Sequence, residues 1–254
     1  MRLSGKVAII TGANAGIGEA IALDFAREGA TVVITGRRKD LLDQAAQAIE
    51  RTIPAAKGRV VAVSGTVTDD AHVRSTVDQA VRAFGKIDIL VNNAAIGAFG
   101  KLLHEIDDAT WEEVLAINLT GVFQFTRAVV PEMLKLGGGS IINISSVGGL
   151  VGFPMSAAYG TSKGGLNAFT RCVALDYGKN KIRCNAICPG LVDTPMAAGL
   201  LSDPQSREQA LSAYAIRRVG TPKEIASMAV YLASDESQWV TGSTMTIDGG
   251  LTAQ

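Results

Sequence analysis

The sequence is poor in the residues that metal centres and disulfide scaffolds need. Among its 254 residues there are only two histidines, His72 and His104, and three cysteines, Cys172, Cys184 and Cys188. The cysteines are odd in number, lack metal-ligand spacing and have no histidine beside them, so we expect neither a zinc site nor a catalytic metal. We expect all three to be small, buried hydrophobic residues in a reducing cytoplasm.

The sequence also lacks net charge and a long apolar run near its start. Its 24 Lys and Arg residues balance 24 Asp and Glu residues. A neutral chain has no counterion-release drive for nucleic acid and no basic face for anionic membranes. The apolar run Val7–Ile10 is too short for the core of a signal peptide or for a membrane span. We therefore expect no nucleic-acid or membrane partner and a cytoplasmic location.

Only 5% of the residues are aromatic, but 47% are hydrophobic, which is enough for a large core. Short β-branched runs alternate with longer amphipathic stretches, the pattern of a parallel sheet with helices on both faces. The predicted strands are Val7–Ile10, Thr31–Thr35, Val60–Val63, Ile87–Val91, Ser140–Ile144, Ile182–Ile187 and Thr244–Ile247. The predicted helices are Ile17–Glu28, Lys39–Arg51, Asp70–Phe84, Thr110–Leu136, Ala157–Tyr177 and Lys223–Ala233.

This alternation predicts an α/β fold. We expect a single doubly wound (Rossmann) domain over residues 1–254, with a seven-stranded parallel sheet and ligands at the carboxyl ends of the strands. One segment, Leu191–Arg218, follows a strand but contains Pro195, Pro204 and polar clusters. A long insertion beside the cleft suggests a substrate lid at 191–218.

A glycine-rich turn follows the first predicted strand and leads into a helix. The spacing of Gly12, Gly16 and Gly18 is Gly-x-x-x-Gly-x-Gly, which differs from the generic dinucleotide fingerprint. The context of strand, turn and helix still favours a dinucleotide, with its pyrophosphate at the helix N-terminus. The turn residues expected to bind it are Gly12, Asn14, Ala15, Gly16, Ile17 and Gly18.

Further motifs are spread along the whole chain. They are Asn92-Asn93-Ala94-Ala95, Asn118, Ser146, Tyr159-Gly160-Thr161-Ser162-Lys163, Pro189-Gly190 and Asp248-Gly249-Gly250. In this combination the sequence resembles the classical short-chain dehydrogenase/reductase (SDR) family. The family's second motif is usually Asn-Asn-Ala-Gly, whereas this chain has alanine at position 95.

The spacing of Tyr159 and Lys163 carries chemistry of its own. Residues four apart on a helix lie one turn apart on the same face. An ammonium group near a tyrosine favours the phenolate, so we expect Lys163 to lower the pKa of Tyr159 from its usual value near 10. Tyr159 would then be a general acid and base.

The resemblance implies roles for the neighbouring residues. Ser146 would hydrogen-bond the substrate oxygen, and Lys163 would also hold the nicotinamide ribose. Asn118 would position a water molecule in the proton relay, or satisfy backbone groups at a helix irregularity, or do both. The resemblance places Thr194 at the nicotinamide carboxamide with Val192 as its backbone partner. Asn93, Ala94, Pro189 and Gly190 complete the cofactor contacts that it implies.

The residues after the second strand favour NADP(H) over NAD(H). NAD enzymes commonly place an acid there, but this chain has Gly36 followed by Arg37-Arg38-Lys39. Three cations at a helix N-terminus oppose its dipole, and a 2′-phosphate would explain them, bound by Arg37 with support from Arg38.

The adenine end of the predicted site departs from the family pattern. Where the family usually has an Asp that bonds the adenine amine, this chain has Thr66, followed by Val67. A hydroxyl accepts such a bond more weakly than a carboxylate, and Asp69 could share the role.

The substrate pocket is expected to be apolar. Its predicted wall is Ile96, Phe99, Leu150, Val151, Phe153, Met155, Leu191, Met196, Leu200 and Tyr214. This wall contains no arginine that could clamp a carboxylate, and we expect NADPH-dependent reduction of a neutral ketone to a secondary alcohol, or the reverse. One alternative is a 3-oxoacyl-carrier-protein reductase, which needs positive charge to dock an acidic carrier. Residues 135–139 near the expected docking rim carry one charge, Lys135, which argues against this alternative, although Lys179 and Lys181 are close. An alternative of another class is a non-catalytic NADP(H)-binding sensor, which the intact Ser146, Tyr159 and Lys163 set disfavours.

The resemblance also implies a homotetramer joined through the helices Thr110–Leu136 and Ala157–Tyr177. Gly160, Gly164 and Gly165 could allow close packing there, or could pack on the sheet. The C-terminus at Gln254 resembles relatives that bind a structural Mg²⁺ with their terminal carboxylates.

Overall fold

The sheet determines where the site lies. The computed structural model describes residues 1–253, and these form seven strands in one sheet. The strands are β1 (Val7–Thr11), β2 (Thr31–Gly36), β3 (Val60–Ser64), β4 (Ile89–Asn92), β5 (Gly139–Ile144), β6 (Ile182–Pro189) and β7 (Thr244–Ile247). The helices are α1 (Gly16–Arg27), α2 (Lys39–Thr52), α3 (Asp70–Phe84), α4 (Asp108–Leu115), α5 (Gly121–Leu136), α6 (Ala157–Tyr177), α7 (Ala198–Ser202), α8 (Pro204–Ser212) and α9 (Pro222–Ala233).

All neighbouring strands are parallel, in the order β3-β2-β1-β4-β5-β6-β7. The chain runs outward from β1 to β3, then returns to place β4 on the other side of β1. At this switch point the connections leave in opposite directions and open a crevice beyond the carboxyl ends of β1 and β4. The predicted doubly wound α/β fold with a seven-stranded parallel sheet is confirmed.

Buried strands divide the core into two layers because successive side chains point to opposite faces. Ile10 packs with Phe25 of α1 and Ile225 of α9 on one face. On the other face, Ile9 packs with Phe125 of α5. Both faces of the central strands are therefore covered, as continuous apolar runs predict.

The long predicted helix Thr110–Leu136 has an irregular centre. It begins earlier, at Asp108, and a π-helical turn at Ala116–Thr120 separates α4 from α5. Turns of this kind are frequent at functional sites. By length and composition alone the continuous helix could cross a membrane, but half of its most apolar window is buried inside the protein.

The segment predicted as a lid contains two helices that the sequence pattern did not predict. Both α7 and α8 lie within residues 191–218. Pro204 is the first residue of α8, where its missing N–H costs no hydrogen bond, and the Asp203 carboxylate caps this helix at Ser206 N, 2.9 Å away.

The expectation that all three cysteines are buried is wrong for one of them. Cys184 and Cys188 are buried on β6, and burial raises the pKa of both thiols, to about 12 for Cys184. Cys172 is exposed because it lies on the outer side of α6.

Candidate active site

The glycine turn is shaped by close contacts that leave no room for side chains. Gly12 and Gly16 have positive φ angles of 65° and 61°. A Cβ on Gly12 would lie 2.8 Å from Ala94 Cα, and one on Gly16 would lie 3.3 Å from Thr194 Cγ2. The turn therefore brings backbone from β1, β4 and the segment after β6 together.

A hydrogen-bonded latch joins β1 to the loop after β4. The Thr11 hydroxyl accepts bonds from the backbone N–H groups of Asn93 and Ala94, both at 3.0 Å. The Asn93 amide donates to the carbonyl oxygens of Thr11 (2.9 Å) and Gly12 (3.1 Å). Thr11 is a site-forming residue that the motif reading missed; its place at the end of β1 was the available signal.

Ser146 and Tyr159 meet at the carboxyl end of β5. The Ser146 hydroxyl accepts a bond from Gly148 N at 3.0 Å and is hydrogen-bonded to Tyr159. Tyr159 lies on the first turn of α6, partly buried, with its ring 5.0 Å from that of Phe99. The Ser145 hydroxyl donates to Lys163 O at 3.2 Å.

The expected net lowering of the Tyr159 pKa is not seen in the free protein. Burial raises the pKa of Tyr159 above its usual value, and the bond to Ser146 only partly opposes this. The Lys163 ammonium lies 5.7 Å from the centre of the tyrosine ring and donates to Ile144 O at 2.8 Å. It is itself buried, and this desolvation lowers its pKa to about 8. Tyr159 is therefore a protonated phenol at neutral pH.

Asn118 lies in the π-helical turn and is completely buried. Its Oδ1 accepts from Ile96 N and its Nδ2 donates to Ile96 O, both at 2.9 Å, and Nδ2 also donates to Ser162 Oγ at 3.1 Å. Asn118 thus lies at a helix irregularity, as one of the two roles considered for it expects, but the backbone groups that it satisfies belong to Ile96 in the loop after β4. It does not line the cavity described next.

One cavity of about 1230 Å³ connects the glycine turn with Tyr159. The predicted site residues that line it are Gly12, Asn14, Ala15, Gly16, Ile17, Arg37, Arg38, Thr66, Val67, Asn93, Ala94, Ser146, Tyr159, Lys163, Pro189, Gly190, Val192 and Thr194. Gly18 does not line it; it is packed beneath the turn against Asn93.

The predicted pocket wall needs correction. Leu150, Val151 and Met155 are exposed and lie outside the cavity lining, although Phe153 and Pro154, between them in the sequence, line it. The other seven wall residues line the cavity. Lining residues that the sequence did not single out include Pro154, Gln209, Ala213 and Leu251.

The cations after β2 differ in their surroundings. Lys39 pairs with Asp43 at 2.5 Å and does not line the cavity. Arg37 and Arg38 are exposed, line the cavity, and have no ion-pair partner among residues 1–253. They are free to meet an anion there.

The adenine end of the cavity offers fewer hydrogen-bond acceptors than expected. The Thr66 hydroxyl is bonded to Thr68 Oγ1 at 2.9 Å. Asp69 caps α3 by accepting from Ala71 N at 2.9 Å and does not line the cavity, so the role considered for it is not supported.

A dinucleotide fits this cavity. The first N–H groups of α1 face the glycine turn, and the residue before the helix, Ala15, provides no side-chain cap for them. Free N–H groups at a helix N-terminus bind phosphate. The cavity continues from there to Arg37 in one direction and to Tyr159 in the other. Fold and site together define a dinucleotide-dependent oxidoreductase.

The comparisons with known proteins place the chain in a family. The family model described as enoyl-(acyl carrier protein) reductase matches residues 12–252. The 3-oxoacyl-acyl-carrier-protein reductase FabG of Thermotoga maritima is 43% identical over 99% of both chains. The 2-(R)-hydroxypropyl-CoM dehydrogenase of Xanthobacter autotrophicus is 38% identical over 98% of this chain and 99% of the relative. A solved structure described as a short-chain alcohol dehydrogenase from Sinorhizobium meliloti has a TM-score of 0.93 and 36% identity, covering 99% of this chain and 98% of its own.

The chain belongs to the short-chain dehydrogenase/reductase family. It is accordingly an oxidoreductase that acts on alcohol and ketone groups with a nicotinamide cofactor, NAD(H) or NADP(H). Residues 1–253 contain no group of three or more His, Cys, Asp or Glu side chains that could hold a metal ion. Gln254, considered for a structural Mg²⁺, lies outside the described residues.

Replacing Gly18 by alanine is expected to weaken nucleotide binding. The new Cβ would lie 2.6 Å from Gly12 O and would also collide with the Asn93 amide that closes the latch. Loss of a buried hydrogen bond costs about 1–3 kcal/mol, so the Kd of the cofactor, measured by fluorescence titration, should rise about tenfold or more. Gly178→Ala is the matched control, since no atom lies within 4 Å of its added Cβ. Equal cofactor affinity in both variants would contradict the role of the Asn93 hydrogen bonds in shaping the nucleotide site.

Burial of Lys163 makes stability depend on pH in a defined window. Because its pKa is near 8 when folded and near 10.5 when unfolded, the unfolded chain binds more protons between these values, and stability rises with pH there. Relative to Lys163→Met, the free energy of unfolding of the wild type should gain about 3 kcal/mol from pH 7.5 to 10.5. Urea denaturation of both proteins measures this difference, in which the contributions of other groups cancel. A difference in unfolding free energy between the two proteins that does not change with pH would contradict a lowered pKa of the buried Lys163.

Proposed function

We propose that the chain catalyses NADPH-dependent reduction of a neutral ketone to a secondary alcohol, and the reverse reaction. The observation that carries the proposal is a single cavity that holds the glycine turn, two free arginines and the Ser146, Tyr159 and Lys163 set. The relatives support an SDR oxidoreductase that acts on alcohols and ketones. The assignment to NADPH and neutral ketones rests on this cavity.

In the proposed mechanism Tyr159 moves the proton. When bound, the nicotinamide supplies or accepts the hydride. Ser146 donates a hydrogen bond to the carbonyl oxygen and holds it beside Tyr159, whose phenol donates its proton as negative charge develops on that oxygen. As a phenol, Tyr159 holds the proton that a general acid must supply, and the burial that raises its pKa makes it a weaker acid in the absence of other charges.

Lys163 and Asn118 support this transfer. A positive charge 5.7 Å from the ring stabilises the phenolate that Tyr159 becomes, and in our proposal Lys163 also binds the ribose hydroxyls. Asn118 is proposed to act as a positioning residue. Its hydrogen bonds hold Ile96 of the loop after β4 and Ser162 of α6 in place, and it is proposed to position a water molecule.

NADP(H) is proposed over NAD(H) because Arg37 and Arg38 bring two unpaired positive charges to one end of the cavity. A 2′-phosphate is bound well by a guanidinium, whose planar N–H groups match phosphate oxygens.

A second candidate, reduction of 3-oxoacyl groups on a carrier protein, is favoured by the identity to the Thermotoga maritima reductase. Docking an acidic carrier needs positive charge at the rim, and Lys135 is already paired with Glu132 at 2.7 Å. NADPH oxidation should be measured with neutral ketones and with a 3-oxoacyl thioester of a carrier protein. Our proposal expects higher kcat/KM for the ketones. A strong preference for the carrier-bound substrate would favour the second candidate.

The proposed assembly is a homotetramer in which α5 and α6 contact other copies. Phe123 on α5 and Leu175 on α6 support it, since both large apolar side chains are exposed. The glycines of α6 do not, because Gly160 faces Gly148 O and Gly165 faces Leu119 of the same chain. Light scattering should give the mass of four copies and smaller species for Leu175→Glu. A wild-type monomer would contradict the assembly.

A further inference from the structure

The mouth of the cavity is unusually apolar for an exposed surface. Four exposed large hydrophobic side chains line it: Phe99, Phe153, Met196 and Leu200. They come from three separate segments, which follow β4, β5 and β6. Solvent-exposed apolar side chains that converge on one cavity mark a binding surface for apolar groups.

The charged groups of the cavity lie elsewhere. Among the described lining residues, the charged side chains are Arg37, Arg38 and Lys163, and none of them belongs to these three segments. The Lys163 ammonium is directed to Ile144 O. A substituent that extends from the carbonyl carbon toward the mouth therefore meets hydrocarbon and no fixed charge.

Phe99 differs from the other three because it touches the proposed proton donor. Its ring is 5.0 Å from the Tyr159 ring, inclined at 57°, while 56% of the side chain is exposed. Gly97 lies directly under the ring, where any side chain would collide with it. The loop is tied to the opposite rim by a bond from Gly100 N to Met155 O at 3.0 Å.

We propose that Phe99 is the specificity-determining residue of the chain and selects ketones with a large apolar substituent, such as a phenyl or hexyl group. A small substituent next to the carbonyl covers little of the exposed face of Phe99. A larger one covers that face and removes apolar area of both groups from water. The inference rests on the proposed ketone reduction and extends it to a substrate class.

The test compares butanone, 2-octanone and acetophenone as substrates with NADPH. For Phe99→Ala, the ratio of kcat/KM for each large ketone to kcat/KM for butanone should fall about tenfold or more, mainly through a higher KM for the large ketones. Phe99→Leu, which restores apolar bulk, should recover most of the preference. Leu103→Ala is the control: this residue is exposed on the same loop and does not line the cavity.

Three outcomes would overturn the assignment. The large ketones could react equally well or faster with Phe99→Ala, as expected if the ring only obstructs the pocket. All three ketones could lose activity to the same extent, as expected if Phe99 only supports Tyr159. Leu103→Ala could reproduce the effect.

A binding measurement separates this inference from the proposed function. Calorimetric titration of acetophenone into the complex of the protein with NADP+, which has no hydride to transfer, measures binding without turnover. If wild type binds acetophenone tightly, Phe99→Ala does not, and neither turns over any ketone, the binding role of Phe99 is supported and the proposed ketone reduction is contradicted. Ketone turnover without a preference for large substituents would do the opposite.

Discussion

Tyr159→Phe is expected to abolish ketone reduction while leaving cofactor binding intact. The change removes one oxygen atom and keeps the ring that contacts Phe99. Without the phenol, the proposed proton donor to the developing alkoxide is missing. General acid catalysis is worth about 10²–10⁴ in rate, so kcat should fall by about three orders of magnitude. Stopped-flow or steady-state absorbance of NADPH measures kcat, and fluorescence titration measures its Kd.

The matched control for this variant is Tyr177→Phe. Tyr177 lies at the other end of α6 and does not line the cavity, so its hydroxyl has no expected part in the reaction. Tyr159→Phe with wild-type turnover would remove the proton donor from the mechanism. Loss of NADPH binding in that variant would instead give Tyr159 a structural role.

Arg37→Ala is expected to change the cofactor preference. Arg37 is exposed at the cavity and has no ion-pair partner in residues 1–253, so its guanidinium can be used by a phosphate. A hydrogen-bonded contact to a charged group contributes about 1.5–3 kcal/mol, which corresponds to about a ten- to hundredfold rise in the Kd of NADPH. The Kd of NADH, which lacks the 2′-phosphate, should be unchanged.

Substitutions of the two neighbouring cations serve as controls for this prediction. Arg38→Ala should have a smaller effect of the same kind, since we assign it a supporting role. Lys39→Ala should have no effect, because Lys39 is paired with Asp43 outside the cavity. If Arg37→Ala weakens NADH and NADPH equally, Arg37 contacts the part that both share, and the preference must come from elsewhere.

The sheet and the catalytic constellation were predictable because they depend on local patterns. Apolar strand runs indicated parallel pairing, and the motif residues follow β1, β4, β5 and β6, whose carboxyl ends meet at one edge. Ser146, Tyr159 and Lys163 therefore had to converge. The chemistry was harder to predict: spacing alone suggested that Lys163 lowers the pKa of Tyr159, but burial acts on both groups and outweighs it.

Other features depend on tertiary contacts that no pattern encodes. The π-helical turn that directs Asn118 toward Ile96 looks like ordinary helix in sequence. Lys39 belongs to the same run of cations as Arg37 and Arg38, and only the structure shows its pairing with Asp43. The same limit applies to the pocket wall, where Met155 has a positive φ of 53° and is exposed outside the cavity while its neighbours Pro154 and Ser156 line it.

The central claim is that this cavity transfers hydride between NADPH and a neutral ketone. Its most direct test is to incubate the purified protein with acetophenone and NADPH and to quantify the alcohol formed and the NADPH consumed, with NADH in parallel. The account predicts one alcohol for each NADPH oxidised and at least about a tenfold lower kcat/KM with NADH, the ratio expected from one phosphate contact. Binding of NADPH without oxidation by any ketone would contradict it and favour the non-catalytic sensor.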